Sequence, residues 1–153
     1  MSTERQFCTF YIQGLMLGVG IEEVQELIRH QPITAVPLAM DDVGGLINLR
    51  GQIVLAIDLR RRFGLAPRAE QMLPMNVILR TKDGLVSLLV DEIGDVIEVE
   101  ESAFSPPPET MSGTGKELVQ SVIKLKKELL LVLDTEKTVD LDRTANEKEL
   151  ATA

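Results

Sequence analysis

Apolar residues along this chain fall into short runs separated by glycine, proline or paired polar residues, and most of the runs alternate or are continuous. "FCTFYIQGLMLGVGI" predicts two short strands around Gly14, the residue best able to take the positive φ of a tight turn. "IEEVQELIRH" supports two readings. Ile21, Val24, Leu27 and Ile28 recur at helical spacing, which favours an amphipathic helix, but one helical turn followed by a strand from Val24 to Ile28 fits as well. "ITAVP" predicts a strand ended by Pro37, and "LAMDDV" a turn of helix before Gly44-Gly45. "LINLR" and "QIVLAIDL" read as strands hinged at Gly51. The second is almost unbroken aliphatic, as expected of a strand buried on both faces. "RRRFG" predicts a helical turn closed by Gly64.

The polar loop "APRAEQMLP" marks an expected subdomain boundary near residues 65–75. Beyond it, "MNVILRT" and "LVSLLVDEI" flank "KDG", a strong hairpin signal, and "DVIEVEE" continues the sheet. Three prolines make "SPPPETMSGTGKE" irregular. "LVQSVIKL" and "ELLLVLD" predict a last hairpin across Lys126-Lys127, and residues 142–153 a polar tail, frayed or disordered. Many short strands with little helix indicate an all-β barrel or pair of barrels. No repeat of 20–50 residues is visible, so any duplication is structural only.

Composition narrows the function. Aromatics make up only 3% of the 153 residues, so the core is Leu, Ile and Val packing. A net charge of −8 argues against nucleic acid and against docking on an anionic membrane surface, both of which need clustered Lys and Arg. "MSTERQF" lacks the apolar stretch of a secretory signal, no apolar run is long enough to insert in a membrane, and the lone Cys8 fits a reducing compartment. The expectation is a soluble, cytoplasmic protein.

Candidate chemistry is sparse. His30 is the single histidine and reads as a surface residue at a strand end. Cys8 alternates with Phe10 and Ile12 and reads as a small core hydrophobe. The acidic run "IEVEE" at 97–101 reads as a solvated strand face, and "SGTGK" at 112–116 lacks the strand–loop–helix frame of a phosphate-binding loop. No catalytic, cofactor or metal constellation is expected, which leaves the surface as a binding platform for other proteins.

The stretch "GLINLRGQIVLAIDLRRRFG" resembles the signature of the CheW family of chemotaxis coupling proteins. "LGVGIEEVQELI", "SLLVDEIGDVIEVEE" and "VIKLKKELLLVLDTEK" resemble the family's other elements in the same order, so the likeness spans residues 7–141. It implies two five-stranded SH3-like β-barrels side by side, with short helical turns and an apolar groove between them. It also implies a non-enzymatic adaptor, without cofactor, that joins the cytoplasmic tip of chemoreceptors (methyl-accepting chemotaxis proteins) to the regulatory domain of the histidine kinase CheA, recruited to receptor arrays at the inner face of the membrane. A coupling-like protein of a pilus-motility pathway and a small β-barrel ligand-binding module are the alternatives.

The resemblance assigns partner contact to Val24, Glu26, Gly45, Arg50, Gly51 and Ile93. Asn48, Asp58 and Asp91 are assigned structural roles. Independently of the family, a guanidinium at a rigid turn offers a planar fork of donors to a partner carboxylate. Arg50 has two open readings: an intermolecular contact, or an internal partner in Asp58 or another carboxylate. Asp58 is expected to cap the "LRRRFG" turn. Val24 and Glu26 read either as a contact strip or as core valine plus solvated glutamate, and Ile93 as groove wall or core. The chain departs from the family pattern at Leu55, where a proline is common, at Ser87 and Ser121, where glycine is frequent, and at the Lys126-Lys127-Glu128 turn.

Overall fold

Period-two alternation assigns each strand's side chains to opposite faces, and here both faces of most strands are buried. In the computed structural model, which describes residues 4–111, 113 and 115–141, eleven strands form two mixed sheets. The strands are β1 (Glu4–Ile12), β2 (Leu15–Gly20), β3 (Val24–Ile28), β4 (Val43–Leu49), β5 (Gln52–Asp58), β6 (Met75–Thr81), β7 (Gly84–Val90), β8 (Glu92–Glu100), β9 (Phe104–Ser105), β10 (Val119–Lys124) and β11 (Leu129–Leu133). Two short helices, α1 (Leu59–Arg62) and α2 (Thr135–Val139), follow β5 and β11. The residues expected to form the tail, 142–153, lie outside the described residues.

One sheet has six strands in the order β8-β1-β2-β11-β10-β9, and the other five, β3-β6-β7-β5-β4. The all-β expectation holds, with two corrections. One unit has six strands rather than five, and neither is a closed barrel, because the first and last strand of each order do not pair. Both sheets nevertheless curl around a core of their own. Phe7, Met16, Val99, Ile123, Leu130 and Val132 fill the six-stranded sheet, and Ile47, Leu49, Val54, Ala56, Ile78 and Leu89 fill the five-stranded one.

The opposite faces meet in a third, larger core. On β5, Val54 and Ala56 point into the curl while Leu55 and Ile57 face the other sheet. On β1, Phe7 points into its curl while Cys8, Phe10 and Ile12 face across. This double burial is why "QIVLAIDL" carries so few polar residues.

The chain changes sheet twice, through a 3-10 turn at Ile21–Glu23 and at Asp91 between β7 and β8. The loop expected as a subdomain boundary near residues 65–75 instead joins α1 to β6, both on the five-stranded side. That sheet is continuous in sequence, and the six-stranded sheet is assembled from the two flanking segments.

Turn chemistry sets the registers. Gln13-Gly14 connects Ile12 to Leu15 with both φ values positive (46° and 81°), and Lys82-Asp83 connects Thr81 to Gly84. "IEEVQELI" resolves as a 3-10 turn followed by strand β3, which pairs with β6, so tertiary pairing overrides the helical spacing. "ITAVP" forms a single bridge, Thr34 to Leu46, rather than a strand, and "LAMDDV" forms turns rather than helix. Leu55, free of the family's proline, pairs on both sides, with Leu46 and Val86. Ser87 is buried and donates to Asn76 Oδ1 at 2.8 Å.

Candidate protein-interaction site

Arg50 and Gly51 form the two-residue turn between β4 and β5, with φ of 51° and 90°. A non-glycine residue in that region is uncommon, and the turn is held by Asn48, whose Oδ1 accepts from the Gly51 N–H at 2.7 Å. The turn thereby fixes the base of the Arg50 side chain while leaving that side chain 69% exposed.

Arg50 Nη2 donates to Glu26 Oε1. The partner is therefore Glu26 and not Asp58. Glu26 lies on β3 and Arg50 on the β4–β5 turn, at opposite edges of the five-stranded order, so this pair spans the open seam that backbone hydrogen bonds leave unclosed.

Apolar residues follow the turn along β5. Ile53, just past the turn, is 62% exposed, and it shares a strand face with half-buried Leu55, which pairs with half-buried Val86. Sequence reasoning missed Ile53, because inside a run read as buried on both faces nothing distinguishes it. Its signal is position: it is the second residue after a tight turn, where the covering sheet ends.

The other predicted contact residues are not at this surface. Val24 is buried in the inter-sheet core. Gly45 is buried at a bulge with φ 142°, and a Cβ there would lie 2.4 Å from the Thr34 carbonyl oxygen, so the close approach it permits is to its own chain. Ile93 is half-buried on β8 of the other sheet, opposite Phe10 and packed on the inter-sheet core. The structure brings together Glu26, Arg50 and Gly51. It places Val24, Gly45 and Ile93 beneath or away from them.

Two further clefts lie at the junction of the sheets. One of about 220 Å³ is apolar, lined by Leu15, Phe63, Leu65, Met111, Val119 and Leu131. The other, about 540 Å³, is polar and lies between the β6–β7 turn (Lys82, Asp83) and the end of α2. None of the predicted contact residues lines either.

The arginine run of α1 splits by helical phase. Asp58 caps α1, accepting from the Arg60 N–H at 3.1 Å, and also takes Arg68 Nη1 at 2.9 Å. Arg60 is buried and donates through Nε and Nη2 to Asp91 at 2.9 and 2.6 Å. Arg61 is exposed and donates to the Asp41 carbonyl. Arg62, also buried, donates to the carbonyls of Lys137, Thr138 and Asp140 at the end of α2 and pairs with Asp42 at 3.4 Å. Basic groups satisfy the orphan carbonyls of a helix C-terminus in this way. Burial pushes the Asp91 carboxyl up, but the Arg60 hydrogen bond, the Gln13 N–H and the nearby Arg68 charge outweigh it and hold Asp91 below its ordinary value. Burial pushes the Cys8 thiol up, away from the reactive thiolate. Among the described residues no three His, Cys, Asp or Glu side chains gather as a metal site, and no helix is long and apolar enough to cross a membrane.

The CheW-like domain family matches residues 6–143 of this chain. The chain belongs to the CheW family. It is 30% identical to the chemotaxis protein CheW of Treponema pallidum, over 92% of this chain and 87% of the relative. It is 28% identical to the chemotaxis protein CheW of Bacillus subtilis, over 92% and 90%. Among solved structures, the scaffolding protein TtCheW of Thermoanaerobacter tengcongensis superposes with a TM-score of 0.81 at 25% identity, covering 93% of this chain and 95% of that one. That CheW neighbour shares the all-β arrangement described above, so the family likeness extends from motif to fold.

Proposed function

We propose that this protein is a non-enzymatic adaptor of chemosensory signalling, joining the cytoplasmic tip of a chemoreceptor to the regulatory domain of the histidine kinase CheA in arrays at the inner face of the membrane. Family membership supports the class of function, since the relatives are chemotaxis and scaffolding proteins by name. The observation that carries the reading on this chain is the exposed Arg50 guanidinium, set on a rigid turn beside exposed Ile53 and paired only at the surface with Glu26. Such a surface suits an amphipathic helix: an apolar strip to bury, and a charge whose present partner a second carboxylate can replace at little cost.

In this reading Arg50, Gly51, Glu26 and Ile53 meet the partner. Val24 and Gly45 act from below, by fixing strands β3 and β4, while Ile93 packs on the inter-sheet core from the other sheet. Coupling requires that the receptor's states differ in their affinity for the adaptor–kinase assembly, because equal affinity shifts no equilibrium.

The test is a phosphotransfer assay with receptor-bearing membranes and purified CheA, with and without this protein. Receptor-dependent stimulation of kinase autophosphorylation is expected only when the protein is present, and Ile53→Asp is expected to abolish it with the fold intact. Stimulation that is indifferent to the protein would overturn the reading.

A further inference from the structure

Asp91 occupies the second crossing between the sheets, and its carboxylate receives donors from both sides. From the six-stranded side, the Gln13 N–H of the β1–β2 turn donates to Oδ2 at 2.7 Å, and the Asp91 N–H returns a bond to the Tyr11 carbonyl at 2.9 Å. From the five-stranded side, Arg60 reaches both carboxylate oxygens and Arg68 Nε reaches Oδ1 at 2.8 Å. Arg68 also bonds Asp58 and the Leu89 carbonyl at the end of β7, and Arg60 bonds the Ala66 carbonyl, so the long loop is pinned into the same cluster. All four charged side chains are close to buried, with side-chain exposures of 7–13%.

Two buried cations meet two anions here, exposed Arg61 touches Asp58 from outside at 3.6 Å, and the carboxylate of Asp91 is filled. Buried pairs of this kind add little net stability over an apolar replacement, but their geometry is directional. Apart from Arg62 of α1, which donates to the carbonyls at the end of α2, and Thr135, which donates to Glu23, the inter-sheet contact among the described residues is not directional: its core is mainly Leu, Ile and Val with Phe10 and Phe63, surfaces that tolerate small sliding movements.

We infer that the Asp58–Arg68–Asp91–Arg60 cluster sets the angle between the two sheets, making Asp91 and Arg68 positioning residues for any assembly that touches both. The consequence for signalling rests on the adaptor reading above, whereas the geometric claim does not. A scaffold whose sheets slide can hold each partner and still fail to place them against one another.

The experiment compares the full chain with Arg68→Met and Asp91→Asn, each in a Cys8→Ser background labelled at Lys82→Cys and Gln120→Cys, which are exposed positions on opposite sheets. Spin-label distance distributions should be narrow in the parent and about twofold broader in both variants, at temperatures where each still melts cooperatively. In the receptor–kinase assay, both variants should retain binary affinities within about twofold while losing most receptor-dependent stimulation. Unchanged distance widths would overturn the inference. Broadened widths with full stimulation would overturn its consequence for signalling. Absent stimulation in the parent protein would count against the adaptor reading alone, leaving the distance result intact.

Discussion

Two arginine–carboxylate sites in the five-stranded half of this protein use the same chemical groups in opposite surroundings. Arg50 and Glu26 meet at the surface, with side chains 69% and 26% exposed, whereas Arg68 and Asp91 meet with side chains 7% and 10% exposed. In water an ion pair is screened and exchangeable, worth about 0–1 kcal/mol, while a nearly dry pair cannot lose one member without stranding the other. The first site is therefore open to a competing partner, and the second fixes geometry.

The largest effect should separate the two outright. Asp91→Ala leaves Arg60 and Arg68 short of a counter-charge and the Gln13 N–H unpaired, for an expected loss of about 3–5 kcal/mol. At about 2–4 °C per kcal/mol for a chain of this size, calorimetry should record a melting temperature at least about 6 °C lower. Arg50→Ala should shift it by no more than about 4 °C.

Acid should shrink the part of the Asp91 effect that depends on its charge. The Asp91 carboxyl is held below its ordinary value in the folded state, so its contribution is complete above the unfolded value of about 3.9 and is lost as pH falls through the folded value. Denaturant titrations from neutral pH downward should show the gap between the parent and Asp91→Asn narrowing below about pH 4. A gap that stays constant would remove the ionised carboxylate from the account.

At the exposed site the expected losses are functional. Arg50→Ala should reduce receptor-dependent kinase stimulation by about tenfold, equivalent to about 1.4 kcal/mol of coupling. A large stability loss instead would show that Arg50 serves mainly to close the sheet. The smallest effect is the Arg50–Glu26 coupling itself. A double-mutant cycle on stability should return about 0.2–1 kcal/mol, shrinking as salt is added.

How much of this was readable in the sequence follows the range of the interactions. Local signals held: Gly14, Gly51 and Asp83-Gly84 mark hairpin turns, Asp58 caps α1, and Gly64 follows it with φ 69°. The choice between helix and strand at Val24–Ile28 is settled only by β6, more than forty residues away. The "RRR" run reads only as a helical turn, and nothing local marks two of its members as buried, since their partners come from Asp91 and from α2. One hint existed: Asp91 interrupts the apolar "SLLVDEI". Gly45 is a contact residue by the family likeness, but the neighbour that approaches its backbone here is Thr34 of the same chain, which spacing alone does not reveal.

One feature of the topology bears on how the molecule is made. Residues 24–90 complete the five-stranded sheet on their own, whereas β2 must wait for β11 to arrive beside it in parallel register. During synthesis the middle of the protein can fold while the N-terminal hairpin of β1 and β2 stays unpaired along one edge, an aggregation-prone interval that ends only when the last strands leave the ribosome. Truncation just before Leu129 should thus harm the beginning of the chain more than its centre.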